Sequence, residues 1–243
     1  MGEGKIQVDL SGQVAIVTGA GRGIGRAIAA ALAENGATVV LAARTAGQIA
    51  AAAQELGKNC IPVVTDITEE SSILELFAFA ASRFNRLDIL VNNAGIGLFG
   101  PFKDFSTRDF DHILRINARG TYLCCREALK RMAPARSGTI INISSVVGFK
   151  GYVDQSAYAA SKHAVVGMTK TLVAEAQPYN IRVCMIHPGG TDTDLVVDAR
   201  PDLDRSVLMR PEDIAYGALF LLSLPERCAV DELYIRRFNS KPF

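Results

Sequence analysis

The sequence predicts an α/β fold, a doubly wound sheet of seven mainly parallel strands with helices on both faces, and three observations carry that prediction. Short β-branched runs alternate with longer Ala-rich amphipathic stretches, the rhythm of strands joined by crossover helices. No Pro/Gly/Ser-rich linker, internal repeat or charge run breaks the alternation, so residues 1–243 read as a single domain. A glycine-rich turn separates the first strand from the first helix, where such folds place phosphates.

In chain order, strands are expected at 14–18, 38–42, 61–65, 89–92, 139–144, 182–186 and 233–235, each a short run rich in Val, Ile and Leu. Helices are expected to begin near Gly23, Ala46, Glu69, Thr107, Ser156 and Pro211, the fourth running unbroken to about residue 133. The segment 194–210 reads as irregular and polar, and is expected to form a substrate lid. Ligands of a doubly wound sheet sit outside the carboxyl ends of the strands, so the residues just after each strand are the candidates for chemistry.

Composition excludes several function classes. With 26 Lys+Arg against 25 Asp+Glu in 243 residues, the chain lacks the basic excess of a nucleic-acid protein. No apolar run reaches the roughly 18 residues needed to cross a bilayer. The start, MGEGKIQVDL, lacks a signal-peptide core, and Ile6 stands where a myristoylation signal wants Ser or Thr. Cysteines at 60, 124, 125, 184 and 228 form no CxxC pair, which points to reduced thiols and a cytoplasmic location. His112, His163 and His187 show no metal-ligand spacing, so no metal site is expected.

The strand Val14-Ala15-Ile16-Val17-Thr18 runs into Gly19-Ala20-Gly21-Arg22-Gly23-Ile24-Gly25 and then into helical sequence. The spacing Gly19-xxx-Gly23-x-Gly25 is neither GxGxxG nor a Walker A loop. Its glycines let backbone N–H groups, Ile24 among them, approach a pyrophosphate at a helix N-terminus. After it come Asp66, Asn92-Asn93-Ala94-Gly95, Asn117, Ser145, Tyr158-xxx-Lys162 and Pro188-Gly189, in that order. Taken together these motifs resemble the short-chain dehydrogenase/reductase family over nearly the whole chain, in its single-domain Rossmann-type branch, and are similar to its 3-oxoacyl reductase-like ketoreductases.

Cofactor choice can be read where the second strand ends, at Leu41-Ala42-Ala43-Arg44. No Asp or Glu lies between Glu34 and Glu55, so the acid that binds a free ribose 2′-OH is missing. Arg44 and Arg22 suit a 2′-phosphate instead, and NADP(H) is expected. The resemblance implies that Asp66 binds the adenine amino group with Ile67 packed beside the ring, although Asp66 or Thr68 also suits a helix N-cap. It further implies that Asn93 and Gly95 lie near the ribose, and that Pro188, Gly189 and above all Thr191 border the nicotinamide.

Tyr158 and Lys162, spaced i, i+4, share one helical face, and a fixed ammonium is expected to lower the phenol pKa. The resemblance makes Ser145, or Ser144 as the competing assignment, the group that holds a substrate carbonyl oxygen. It makes Tyr158 the proton donor, Lys162 the residue that positions the ribose and tunes Tyr158, and Asn117 the fourth catalytic member, supporting a relay water. The expected reaction interconverts a small-molecule ketone, or a 3-oxoacyl thioester, and its alcohol. A non-catalytic NADP-binding regulatory or scaffold protein of the same fold is the rival class. Leu98, Phe99, Phe149, Tyr152 and Val153 suggest an apolar pocket mouth without charge. Arg136 matches one of two basic residues that carrier-protein-dependent relatives use, and Tyr179 replaces the other. A homo-oligomer, tetramer or dimer, is expected through the helix of Tyr158 and the long helix before it, although 231–238 departs from the family's Gly-Gly turn.

Overall fold

The computed structural model describes residues 6–199 and 204–241. Its seven strands are β1 (Val14–Thr18), β2 (Thr38–Ala43), β3 (Cys60–Val64), β4 (Ile89–Asn92), β5 (Gly138–Ile143), β6 (Ile181–Pro188) and β7 (Glu232–Ile235). They form one sheet in the order β3-β2-β1-β4-β5-β6-β7, every pairing parallel. Central strands are buried throughout, the pattern of a parallel sheet covered on both faces; β3, at the edge, alternates and accommodates Pro62 there.

The helices are α1 (Gly23–Glu34), α2 (Ala46–Leu56), α3 (Glu70–Phe84), α4 (Thr107–Leu114), α5 (Thr121–Ala135), α6 (Ser156–Ala176), α7 (Asp194–Ala199) and α8 (Pro211–Ser223). Alanine and leucine faces of α1, α2 and α8 close one apolar core against Val17, Leu41, Ile141 and Ile186. On the other face α3 and α5, joined by Ala176 at the end of α6, pack on Ile16, Leu90, Ile140 and Val183. The chain leaves β1 toward β2 on one side and resumes at β4 on the other. The crevice at that reversal, beyond the carboxyl ends of β1 and β4, is where this topology receives a ligand.

Two expectations need correction. The helix expected to run unbroken from Thr107 is interrupted at Arg115–Gly120 by a π-helical turn, a bulge that apolar spacing does not reveal. The segment 194–210, expected to be irregular, opens with α7; its first turn contains Asp194, and the Thr193 carbonyl accepts from the N–H groups of Val196 and Val197. The part of the lid expectation that falls on residues 200–203 lies outside the described residues.

Candidate active site

The glycine turn is built by clashes that any side chain would create. Gly19 and Gly23 adopt φ of +65° and +55°, the left-handed region that suits glycine. A Cβ on Gly25 would lie 2.3 Å from Asn93 Nδ2 and 2.4 Å from the Gly19 carbonyl oxygen. The turn is clamped to the end of β4: Thr18 Oγ1 accepts from the backbone N–H groups of Asn93 and Ala94, each at 3.1 Å. Asn93 Nδ2 in turn donates to the carbonyls of Thr18 and Gly19 at 3.1 and 3.2 Å. Asn93, expected near a ribose, therefore places its amide on the turn itself. No side chain caps α1 and no acid stands in its first turn, so its N-terminal dipole faces the cleft unopposed.

Two clefts meet along this turn. The smaller, about 150 Å³, is bordered by Arg44, Asp66, Ile67 and Gly95. Asp66 caps no helix: its Oδ1 accepts from the Thr68 N–H at 2.9 Å in a local turn, and α3 starts only at Glu70. Burial pushes the Asp66 carboxyl up, but the Thr68 hydrogen bonds and the charges of Arg44 and Arg115 outweigh it and hold it below the usual range. Ile67 packs against Gly120, where a Cβ would come within 2.9 Å of Ile67 Cδ1. Arg44 is exposed at the rim, whereas Arg22 forms an ion pair with Asp194 of α7 across the mouth. A trough with a glycine floor and a capless helix end fits the pyrophosphate of a nicotinamide dinucleotide.

The larger cleft, about 550 Å³, brings Ser145, Tyr158 and Lys162 together beside Gly19, Gly23, Ile24, Pro188 and Gly189. The two serines at the end of β5 point apart. Ser144 Oγ donates to the Lys162 carbonyl at 3.4 Å, while the Ser145 hydroxyl hydrogen-bonds the Tyr158 phenol. Lys162 Nζ donates to the Ile143 carbonyl at 3.0 Å and lies 5.8 Å from the centre of the Tyr158 ring. Burial pushes the Tyr158 phenol up to about 12 against the Ser145 hydrogen bond, and brings the Lys162 ammonium down to about 8. The expected lowering of the phenol by Lys162 is thus reversed: desolvation of a buried phenolate dominates.

Asn117 sits in the π turn, buried, and clamps the chain after β4. Its Oδ1 accepts from Ile96 N–H at 2.9 Å, and its Nδ2 donates to the Ile96 carbonyl at 2.9 Å and to Ser161 Oγ at 3.0 Å. A Cβ on Gly95 would stand 3.2 Å from Asn117 Oδ1 and 3.7 Å from Lys162 Nζ, so the glycine keeps these groups in contact range. His187, which drew no role from its sequence context, donates from Nδ1 to the Ser145 carbonyl at 3.2 Å and meets Glu232 Oε2 through Nε2 at 3.1 Å. Only tertiary structure brings that pair together, since 45 residues separate them.

Beyond β6, the Thr191 hydroxyl turns back to the Gly189 carbonyl at 3.1 Å, and it is Thr193 whose methyl faces Gly23 at 3.3 Å from a would-be Cβ. The mouth departs from its expected apolar character. Phe99 packs edge-on to Tyr158 at 5.8 Å and Tyr152 lines the cleft, but Phe149 turns to His187 and Tyr234, and Val153 is exposed. Arg205 and Arg237 also line it, and neither was singled out in the sequence because both follow segments without a recognisable motif.

The family model for short chain dehydrogenases matches residues 13–204. An uncharacterized oxidoreductase of Staphylococcus aureus strain MRSA252 is 37% identical over 93% of this chain and 98% of its own length. A 3-oxoacyl-[acyl-carrier-protein] reductase of Aquifex aeolicus is 36% identical over 90% and 93%. Among solved structures, a 3-ketoacyl-(acyl-carrier-protein) reductase from Brucella melitensis complexed with NADH superposes with a TM-score of 0.88 at 32% identity, covering 96% of this chain and 100% of that one. An alcohol dehydrogenase from Thermococcus sibiricus complexed with 5-hydroxy-NADP does so at 0.87 and 28%, over 95% and 99%. The seven-stranded parallel fold agrees with these matches: the chain is an oxidoreductase of the short-chain dehydrogenase family.

Proposed function

We propose that the chain is an NADP(H)-dependent ketoreductase that interconverts a ketone, or a 3-oxoacyl group, and the secondary alcohol. The observation that carries this reading is the convergence of Ser145, Tyr158 and Lys162 on one wall of a cleft continuous with the glycine turn. The turn from Gly19 to Gly25 would hold the pyrophosphate, Asp66 and Ile67 the adenine, and Gly95 and Lys162 the nicotinamide ribose. Thr191, Pro188 and Gly189 would border the nicotinamide. Arg44, with Arg22 released from Asp194, would hold the 2′-phosphate. Relatives are known with either cofactor form bound, so the choice rests on Arg44 and on the missing acid after β2.

A bound reduced nicotinamide supplies hydride to the carbonyl carbon. The Ser145 hydroxyl donates a hydrogen bond to the carbonyl oxygen, and Tyr158, protonated at neutral pH, transfers its phenolic proton to that oxygen as the C–O⁻ charge develops. Lys162 as an ammonium stabilises the phenolate left behind, and Asn117 holds the Ile96 backbone in place beside it. Unpaired, mostly buried thiols are in keeping with a cytoplasmic, reducing setting.

The test is NADPH oxidation by the purified protein against a panel of ketones and 3-oxoacyl thioesters, with cofactor affinity followed separately. Tyr158→Phe is expected to lose about 100-fold or more in turnover while NADPH affinity stays within about twofold, because the ring is kept and only the acid is removed. NADPH is expected to bind at least about tenfold tighter than NADH. Undiminished turnover in Tyr158→Phe would overturn the assignment.

A further inference from the structure

The larger cleft is charged. Besides Lys162, the guanidinium groups of Arg22, Arg205 and Arg237 line the larger cleft, against two carboxylates, Asp192 and Asp194. Two of the three arginines are committed: Arg22 to Asp194, and Arg205 to Asp192 through Nε at 2.8 Å and Nη2 at 3.1 Å. Arg237 is half-buried and has no carboxylate within ion-pair distance among the described residues. Among the described residues Asp192 is matched by Arg205, and once Arg22 is released to a cofactor phosphate the remaining cations of the cleft, Lys162, Arg205 and Arg237, still outnumber its two carboxylates by one.

The backbone that presents Arg237 is braced. Gly189 N–H donates to the Ile235 carbonyl at 2.8 Å, tying the end of β7 to the start of the loop after β6. Beyond it, Arg236 Nη1 binds the carbonyls of Arg237, Phe238 and Ser240 at 3.0, 3.2 and 2.7 Å, closing the turn on which Arg237 stands. Opposite the guanidinium is Gly190, where a Cβ would lie 3.7 Å from Arg237 Nε and 3.2 Å from Leu208 Cδ2. A side chain at position 190 would stand against Arg237 and Leu208, so the glycine keeps that side of the guanidinium uncovered. A guanidinium partly withdrawn from water without a counter-charge is costly to keep, and its planar fork matches a carboxylate.

We propose that Arg237 is a specificity-determining residue that binds a carboxylate carried by the substrate, so that the carbonyl compounds turned over are oxo acids. This rests on the ketoreductase reading. It distinguishes the chain from an enzyme that takes neutral ketones or thioesters, whose reacting ends offer Arg237 nothing to pair.

The experiment is NADPH oxidation against matched pairs, each an oxo acid and its methyl ester, with the unaltered protein, Arg237→Gln and Arg237→Lys, and with NADPH affinity measured by fluorescence. The acid is expected to exceed its ester in kcat/KM by at least about tenfold, mainly through KM, given one charge-assisted contact. Arg237→Gln should bring the two KM values together, and Arg237→Lys should restore part of the difference. Esters or thioesters reduced as efficiently as the acids by the unaltered protein, or an acid preference kept by Arg237→Gln, would overturn the inference while leaving the ketoreductase reading intact. A loss of NADPH affinity in Arg237→Gln equal to the loss on acids would also overturn it, assigning the guanidinium to the cofactor. If NADPH binds but no carbonyl compound of either series oxidises it, the ketoreductase reading falls, and this inference with it.

Discussion

Tyr158 and Lys162 are buried side by side, and burial moves them in opposite directions, the phenol up to about 12 and the ammonium down to about 8. At neutral pH the pair is therefore phenol plus ammonium, the state that a carbonyl reduction needs. As pH rises past about 8 the ammonium is lost while the phenol stays protonated, so nothing stabilises the phenolate that proton transfer leaves. We expect kcat/KM for reduction to be flat up to about pH 8 and to fall above it, whereas alcohol oxidation, which needs Tyr158 as a base, should rise with pH. Profiles measured in both directions check this; reduction that speeds up between pH 8 and 9 would contradict it. The i, i+4 spacing of Tyr158 and Lys162 marks them as candidates in the sequence, whereas Asn117 is marked by the family resemblance alone. The sequence favours Ser145 over Ser144, but which neighbour each hydroxyl meets, the Lys162 carbonyl of α6 or the phenol, was not legible. Nor was the commitment of Arg22, whose partner Asp194 is 172 residues away.

At the level of elements, strand positions could be read because a doubly covered parallel strand is apolar throughout, and the starts of α1, α2 and α3 because each follows a strand within a few residues. The π turn at Arg115–Gly120 could not, because one bulged turn leaves the apolar spacing on either side intact. It nonetheless carries Asn117, and is the means by which that side chain reaches the Ile96 backbone and Ser161. The junction of β1, α1 and β4 shows the tightest fit. Asn93 and the Gly19 carbonyl fill the space beside Gly25, so Gly25→Ala must displace backbone and not merely a flexible side-chain end. We expect Gly25→Ala to cost roughly 1–3 kcal/mol of stability by overpacking, and to weaken cofactor binding as the turn shifts. Denaturant midpoints and a cofactor titration measure the two effects; an unchanged midpoint would mean that the clamp gives way without strain.

For the whole molecule, a doubly wound parallel sheet with its ligand site beyond the strands' carboxyl ends is legible from the alternation of elements, whereas the strand order and the reversal between β1 and β4 come from the structure. Association is a different matter, because it depends on which apolar side chains the fold leaves outside. On α6, one of the two helices expected to pair subunits, Val165 is buried and Leu172 packs against the chain's own core. Val166 and Met168 remain half-exposed on α6, with Gly167 between them, where a Cβ meets nothing within 4 Å. On the neighbouring helices Phe110 and Tyr122 are 37% and 54% exposed. A small residue flanked by apolar ones lets a second helix approach closely, and a stable pair needs roughly 800 Å² per partner. We expect light scattering at micromolar concentration to find a homo-oligomer, and Gly167→Arg, which places a charged side chain at the centre of that face, to dissociate it. A second interface would use the other end of the sheet, where β7 is an edge strand and Tyr234 and Phe238 are 43% and 101% exposed. If both surfaces pair, the particle is a tetramer and Gly167→Arg leaves dimers; if only the α6 face pairs, it is a dimer and the variant leaves monomers. A monomer in the unaltered protein would show that neither apolar face is large enough to hold a partner.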